Sequence, residues 1–177
     1  MTSRLNPYLN FNGNARRALE FYTGVFGGSL TLSTFADFGA AGSPDADRIM
    51  HGQLETPAGY TIMAADVTSE MPYQPPAGFS VSLSGDDGDA LHEYWEKLCA
   101  GGTVTMAMQK QVWGDEFGMC VDQFGVSWLV NIGQPQSWPG SRSSRRSRPR
   151  RPAGETPSPA GPGAPRGRNP GTRRPAR

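Results

Sequence analysis

The chain is poor in the residues that most often announce a chemistry. Its 177 residues include only two cysteines and two histidines. Cys99 and Cys120 fit neither a disulfide framework nor a metal-ligand spacing. Two reduced, packed thiols are what a cytoplasmic protein is expected to carry. No apolar run approaches the length of a membrane span. The first seven residues, Met1-Thr2-Ser3-Arg4-Leu5-Asn6-Pro7, hold no apolar leader core, so a soluble cytoplasmic protein is expected. Neither a Gly-x-Ser-x-Gly elbow nor a Gly-x-x-x-x-Gly-Lys-Ser/Thr run occurs, which removes the signatures of serine hydrolases and phosphate-loop enzymes. A nucleotide-binding βαβ fingerprint, as a methyl donor would need, is missing too.

What is present divides sharply near Gln136. Residues 1–136 carry 6 Lys+Arg against 15 Asp+Glu, a net of −9, whereas residues 137–177 carry 11 Arg and a single acid, Glu155, a net of +10. The overall +1 is the sum of an acidic globule and a basic tail. The globule holds every Phe, Tyr and Met, and a domain of its size buries roughly two-thirds of its unfolded surface. The tail is Ser, Arg, Pro and Gly with no aliphatic side chain larger than alanine, so it is expected to be disordered.

Within the globule one supersecondary unit is written twice. Ala18, Phe21, Tyr22 and Val25, followed by Gly27-Gly28, are repeated by Leu91, Tyr94, Trp95 and Leu98, followed by Gly101-Gly102. Each set falls at i, i+3, i+4 and i+7, one stripe of a helix. His51-Gly52 with Gly59-Tyr60 is matched, 66 residues on, by Phe117-Gly118 with Gly125-Val126. Around these anchors the pattern predicts a strand over 5–11, a helix over 15–26 with Asn14 as its N-cap, and strands over 30–35, 48–56 and 60–65. The second copy predicts a strand over 79–84, a helix over 90–100 opened by Asp86-Asp87-Gly88-Asp89, and strands over 103–108, 117–122 and 126–132. Residues 37–47 read as a loop and the Pro-rich segment 68–76 as a linker. The glycine pairs follow helices and so read as caps.

Two βαβββ units in tandem, with Phe21-Tyr22 on the first helix and Gly27-Gly28 after it, resemble the vicinal oxygen chelate superfamily of glyoxalase I, fosfomycin and bleomycin resistance proteins and extradiol dioxygenases. The match is nearer to its PhnB-like branch. Pro7-Tyr8-Leu9-Asn10-Phe11-Asn12-Gly13-Asn14-Ala15, Val25-Phe26-Gly27-Gly28, Met50-His51, Trp113-Gly114, Phe117-Gly118 and Asp122-Gln123-Phe124-Gly125-Val126-Ser127-Trp128 carry it. The likeness covers residues 5–133. It implies an α+β fold in which tandem βαβββ units, about 5–66 and 78–133 of a 1–136 domain, form a curved mixed sheet around a cup, often in homodimers. Some relatives in this branch bear a demethylubiquinone methyltransferase label. The missing methyl-donor fingerprint argues against adopting it here.

Metal-using members place one ligand on each of four strands, turned into the cup. Carried over by position, these fall on Pro7, about Met63, Phe79 and Leu129. None offers an imidazole or carboxylate, so the resemblance implies no metal at the usual site. His51, Gln53 and Glu55 alternate along one strand, while Glu116 and Asp122 share a face of another. Shifted metal ligands drawn from His51, Gln53, Glu55 and Glu116, an acid–base pair, a dimer contact and a merely solvated strand face all remain open readings. His92, on the second helix beside Glu93, reads as solvated surface.

Trp113, Phe117, Trp128 and Tyr8 are candidates to line a small-molecule pocket, or simply core. Met63, Met106, Met108 and Met119 are open to the same two readings. Small-molecule binding without the usual metal is the leading expectation, with Tyr8, His51, Gln53, Trp113, Glu116, Phe117 and Trp128 as its residues. The alternatives are a metal-dependent lyase or dioxygenase and polyanion binding through the tail. The latter has only Trp138 for base stacking and an acidic globule beside it, so nucleic acid is not the expected partner.

Overall fold

In the computed structural model, which describes residues 3–134, each half of the chain forms its own four-stranded mixed sheet. The tail over 137–177, with the expectation of disorder, lies outside the described residues. The first half runs β1 (Tyr8–Phe11), α1 (Ala15–Phe26), β2 (Ser29–Thr34), a 3-10 turn (Ala36–Phe38), β3 (Ile49–Glu55) and β4 (Thr61–Asp66). The second runs β5 (Val81–Gly85), α2 (Gly88–Cys99), β6 (Thr103–Lys110), β7 (Glu116–Val121) and β8 (Ser127–Ile132). The strand orders are β1-β4-β3-β2 and β5-β8-β7-β6, with β1 parallel to β4 and β5 parallel to β8. Both bounds of α2 lie 73 residues beyond those of α1 (88 − 15 and 99 − 26), which is the spacing of the sequence repeat.

Equivalent glycines hold equivalent places for steric reasons. A Cβ at Gly28 would run into the carbonyl of Glu55, and one at Gly102 into the carbonyl of Val121. Each therefore lets the chain leaving a helix pass against the end of a neighbouring strand. Gly52 and Gly118 make room for helix side chains, Leu19 above the first and Trp95 above the second. Gly27 also caps α1, its N–H reaching the Thr23 carbonyl, but α2 ends on the extended Ala100, so Gly101 lies one residue past the cap. Asn14 precedes α1 as expected without a side-chain capping bond. The buried Asp66 carboxylate does that work from the end of β4, accepting from the N–H groups of Gly13, Ala15 and Ile49 at 2.7, 3.0 and 2.9 Å.

The two halves share one apolar core on the helix side of the sheets. Ala18, Leu19, Tyr22 and Phe26 of α1 pack with Leu9, Phe11, Leu54 and Ala64 of the first sheet; Leu91, Trp95 and Leu98 of α2 pack with Cys120, Val130 and Ile132 of the second. Phe26 bridges them, its ring 5.0 Å from Tyr94 and 5.7 Å from Trp128. Burying a side chain of this size contributes roughly 1.5–3 kcal/mol. A polar contact crosses the same seam: the Tyr22 hydroxyl donates to the Asp122 carboxylate at 2.7 Å.

Candidate functional site

Strand alternation leaves the opposite face of both sheets without helices. In the first sheet Leu9, Phe11, Gly52, Leu54, Ile62 and Ala64 face the helices, so Tyr8, Asn10, His51, Gln53, Glu55 and Met63 face away. In the second sheet Ser82, Ser84, Phe117, Met119, Leu129 and Asn131 occupy the corresponding open face.

This register moves two of the four carried-over metal positions. Met63 stands opposite Tyr8, not Pro7, and Leu129 stands opposite Ser82, not Phe79. The opening-strand positions thus move by one residue (7 to 8) and by three (79 to 82), and an odd slip exchanges the faces of a strand. The corrected set is a phenol, a thioether, a hydroxyl and an aliphatic group. It lacks the imidazoles and carboxylates that a divalent cation takes as ligands, so these residues do not fit the superfamily's metal.

On the first sheet the open face assembles a small polar group. The Tyr8 and His51 rings stack at 5.9 Å between centroids, with the Tyr8 hydroxyl 3.4 Å from His51 Nδ1. The Gln53 amide donates to Glu55 at 3.0 Å. His51, Gln53 and Glu55 do share one face, but Glu116 does not join them. It lies opposite Ile132 on the helix side of β7 and pairs with His92 of α2 at 3.1 Å. Asp122 is turned to the same side and is 4 % exposed. Among the described residues no group of three or more His, Cys, Asp or Glu is placed to hold a metal ion.

Asp122 organises structure around itself. Its two oxygens accept from Tyr22 Oη, Trp128 Nε1 and the backbone N–H groups of Phe124 and Val126, at 2.7 to 3.0 Å. Burial, then the neighbouring carboxylate charge, holds the Tyr22 phenol well above its ordinary pKa. Burial also pushes Cys120 up, to about 12. Trp128 is a core residue, 1 % exposed between Tyr22 and Phe26, and it also lines a groove of about 300 Å³ with Pro7, Tyr60, Ile62 and Val81. The hydrogen bond to its indole N–H, invisible in an aromatic count, decides that placement. Met63 and the Met106–Met119 cross-strand pair sit on the open face, while Met108 packs against the core.

Several hollows open on this face, and one of them lies at one end of the second sheet. A cavity of about 490 Å³ is lined by Ser84, Gly85 and Asp86 from the end of β5, Trp113 and Asp115 from the β6–β7 turn, and Asn131, Gly133 and Gln134 from β8 and beyond. Trp113 is 59 % exposed and meets Phe117 edge-on at 6.2 Å. Asp115 closes the turn, its carbonyl accepting from Gln111 N–H at 2.7 Å, and its carboxylate takes the Asn131 amide at 2.9 Å. Of the residues expected at a site, Trp113 lines this space and Phe117 meets its ring. Tyr8, His51 and Gln53 form a separate group on the other sheet, and no hydrogen bond or ring contact joins the two groups among the described residues. Asp115 and Asn131 gave no signal of their own and Asp86 only that of a helix start, because three separate chain segments bring them together.

Solved structures of similar proteins share this fold. The model of a family described as 3-demethylubiquinone-9 3-methyltransferase matches residues 3–131. The chain belongs to this PhnB-like family of the vicinal oxygen chelate superfamily. It is 27 % identical to Protein YjdN of Escherichia coli over 146 residues, covering 75 % of this chain and 97 % of that protein. Among solved structures, protein PA1353 of Pseudomonas aeruginosa is similar at 36 % identity and a TM-score of 0.66, over 75 % of this chain and 99 % of that one. A Bacillus cereus PhnB protein, at 22 % identity and a TM-score of 0.57, shares the fold over 74 % of this chain and all of that one. No helix among the described residues is long and apolar enough to cross a membrane.

Proposed function

We propose that this PhnB-like protein binds a small organic molecule on the open face of its second sheet, without the superfamily's metal, as a cytoplasmic homodimer. The observation that carries the reading is the cavity beside Trp113, which combines a wide aromatic wall with a few polar groups from three chain segments. Such a combination is the usual lining of a small-molecule site. The four corner positions, Tyr8, Met63, Ser82 and Leu129, support metal-free binding because their chemistry suits apolar or hydrogen-bonding contact. The dimer rests on the family's habit, and the cytoplasmic location on two free thiols.

Tryptophan fluorescence and thermal-shift screening of the full chain against a metabolite and antibiotic panel test the reading. A ligand that shifts the melting temperature and loses its effect in Trp113→Ala is the expected result. A panel without any hit that depends on Trp113 would overturn it. The 3-demethylubiquinone methyltransferase description remains the family's and is not carried to this chain. Polyanion binding through residues 137–177 concerns a segment outside the described residues.

A further inference from the structure

We infer that the cavity beside Trp113 takes an organic cation, a guanidinium, amidinium or ammonium group attached to a flat or apolar body. The inference rests on the reading of this face as a small-molecule site and specifies the chemistry of its occupant. The starting point is the wall: Trp113 keeps 59 % of its surface exposed beside a space of about 490 Å³, far more than a lone metal ion fills. An indole face open to such a space attracts a cation through its ring quadrupole. Phe117, edge-on to Trp113 at 6.2 Å, braces the ring.

The charge of the lining selects the sign of the guest. Asp86 and Asp115 contribute two carboxylates, and none of the eight lining residues is Lys, Arg or His. The ion pairs among the described residues are Arg48–Asp45, His92–Glu116 and Lys97–Glu93, so neither cavity carboxylate is paired there. Asp115 spends one oxygen, Oδ2, on the Asn131 amide, which fixes the carboxylate. Its other oxygen has no hydrogen-bond donor among the described residues and lies, like the first, beside Gly133 in the cavity wall. A carboxylate held by a neutral amide keeps its full charge for a guest, and a planar amidinium or guanidinium matches its geometry. An anion would meet two like charges; a neutral guest would leave both carboxylates without a counter-charge.

The test uses the ¹⁵N-labelled full-length chain and three nearly isosteric probes: benzamidinium, benzamide and benzoate. The readout is the Trp113 indole N–H signal, assigned by Trp113→Phe, while the buried indoles of Trp95 and Trp128 report that each variant is folded. Benzamidinium should shift the Trp113 signal with an affinity at least about tenfold above benzamide, an advantage of the size a cation–π contact with a carboxylate partner supplies. Benzoate should not compete. Asp86→Asn with Asp115→Asn should erase that advantage without moving the Trp95 and Trp128 signals. Equal binding of benzamide and benzamidinium, or preference for benzoate, would overturn the cation inference and leave the small-molecule reading standing. Silence of Trp113 toward all three probes would also overturn it, and the wider ligand panel then decides the small-molecule reading by itself.

Discussion

Replacing Asp122 by alanine should be among the most damaging single changes in the described domain. The side chain sits at the seam between the halves and accepts four hydrogen bonds, two from side chains and two from backbone N–H groups. Alanine strands the Tyr22 hydroxyl and the Trp128 indole N–H at positions 0 % and 1 % exposed, away from bulk water. Each stranded buried donor costs about 1–3 kcal/mol. Two of them, with the backbone groups partly rescued by water at the turn, give a loss of about 4 kcal/mol. That is a large share of the roughly 5–15 kcal/mol by which a domain is stable. With a urea slope of about 1–3 kcal/mol per molar, the unfolding midpoint should fall by roughly 1.3–4 M at unchanged slope. Tyr22→Phe removes one donor while Trp128 still satisfies the same oxygen, so it should cost only about 1.5 kcal/mol. Asp122→Asn should fall between the two, since its amide can serve Tyr22 as a donor but opposes the Trp128 N–H. Equilibrium urea unfolding followed by far-UV circular dichroism measures all three. An alanine variant within about 1 kcal/mol of the parent chain would refute the claim that this carboxylate joins the halves.

The remaining expectations concern other parts of the molecule. Stability should decline on the alkaline side: Cys120 is raised from 9.0 to about 12 and Tyr22 is raised above its ordinary 10.0, so both protonated forms are favoured by folding. Their contribution is complete below pH 9 and is lost as pH rises toward 12, because the unfolded chain ionises first. Melting temperatures between pH 8 and pH 11 should therefore fall less steeply in Cys120→Ala than in the parent, relative to their values at pH 8. Gly102→Ala must displace the Val121 carbonyl and should cost upward of about 2 kcal/mol in urea unfolding, whereas alanine at Gly42, with nothing near its Cβ, should be nearly silent. Elemental analysis of purified protein should find sub-stoichiometric divalent metal in both the parent chain and His51→Ala; a stoichiometric ion lost with His51 would reinstate the shifted-ligand reading.

Periodicity and turn glycines were enough to read most of the architecture. The i, i+3, i+4, i+7 stripes placed both helices, and α1 has the bounds the pattern implies, while α2 begins two residues earlier at Gly88. Strand ends moved by up to three residues, the largest shift being β1, which opens at Tyr8. Errors of that size matter little to a core and greatly to a site. Pro7 and Tyr8 are neighbours in sequence yet point to opposite faces, and only the β1–β4 ladder shows which of them opposes Met63.

The sequence by itself determined the duplication, the two helix stripes, the glycines that punctuate them and the scarcity of metal-binding side chains, because each follows from residue type at a fixed local spacing. Tertiary structure decided which aromatic rings are core and which are wall. Trp128 was withdrawn into the interior by a carboxylate six residues away, and Trp113 was left bare beside Asp86 and Asp115. Hydrogen-bond partners and cavity walls come from segments distant along the chain, and no local pattern records which segments will meet.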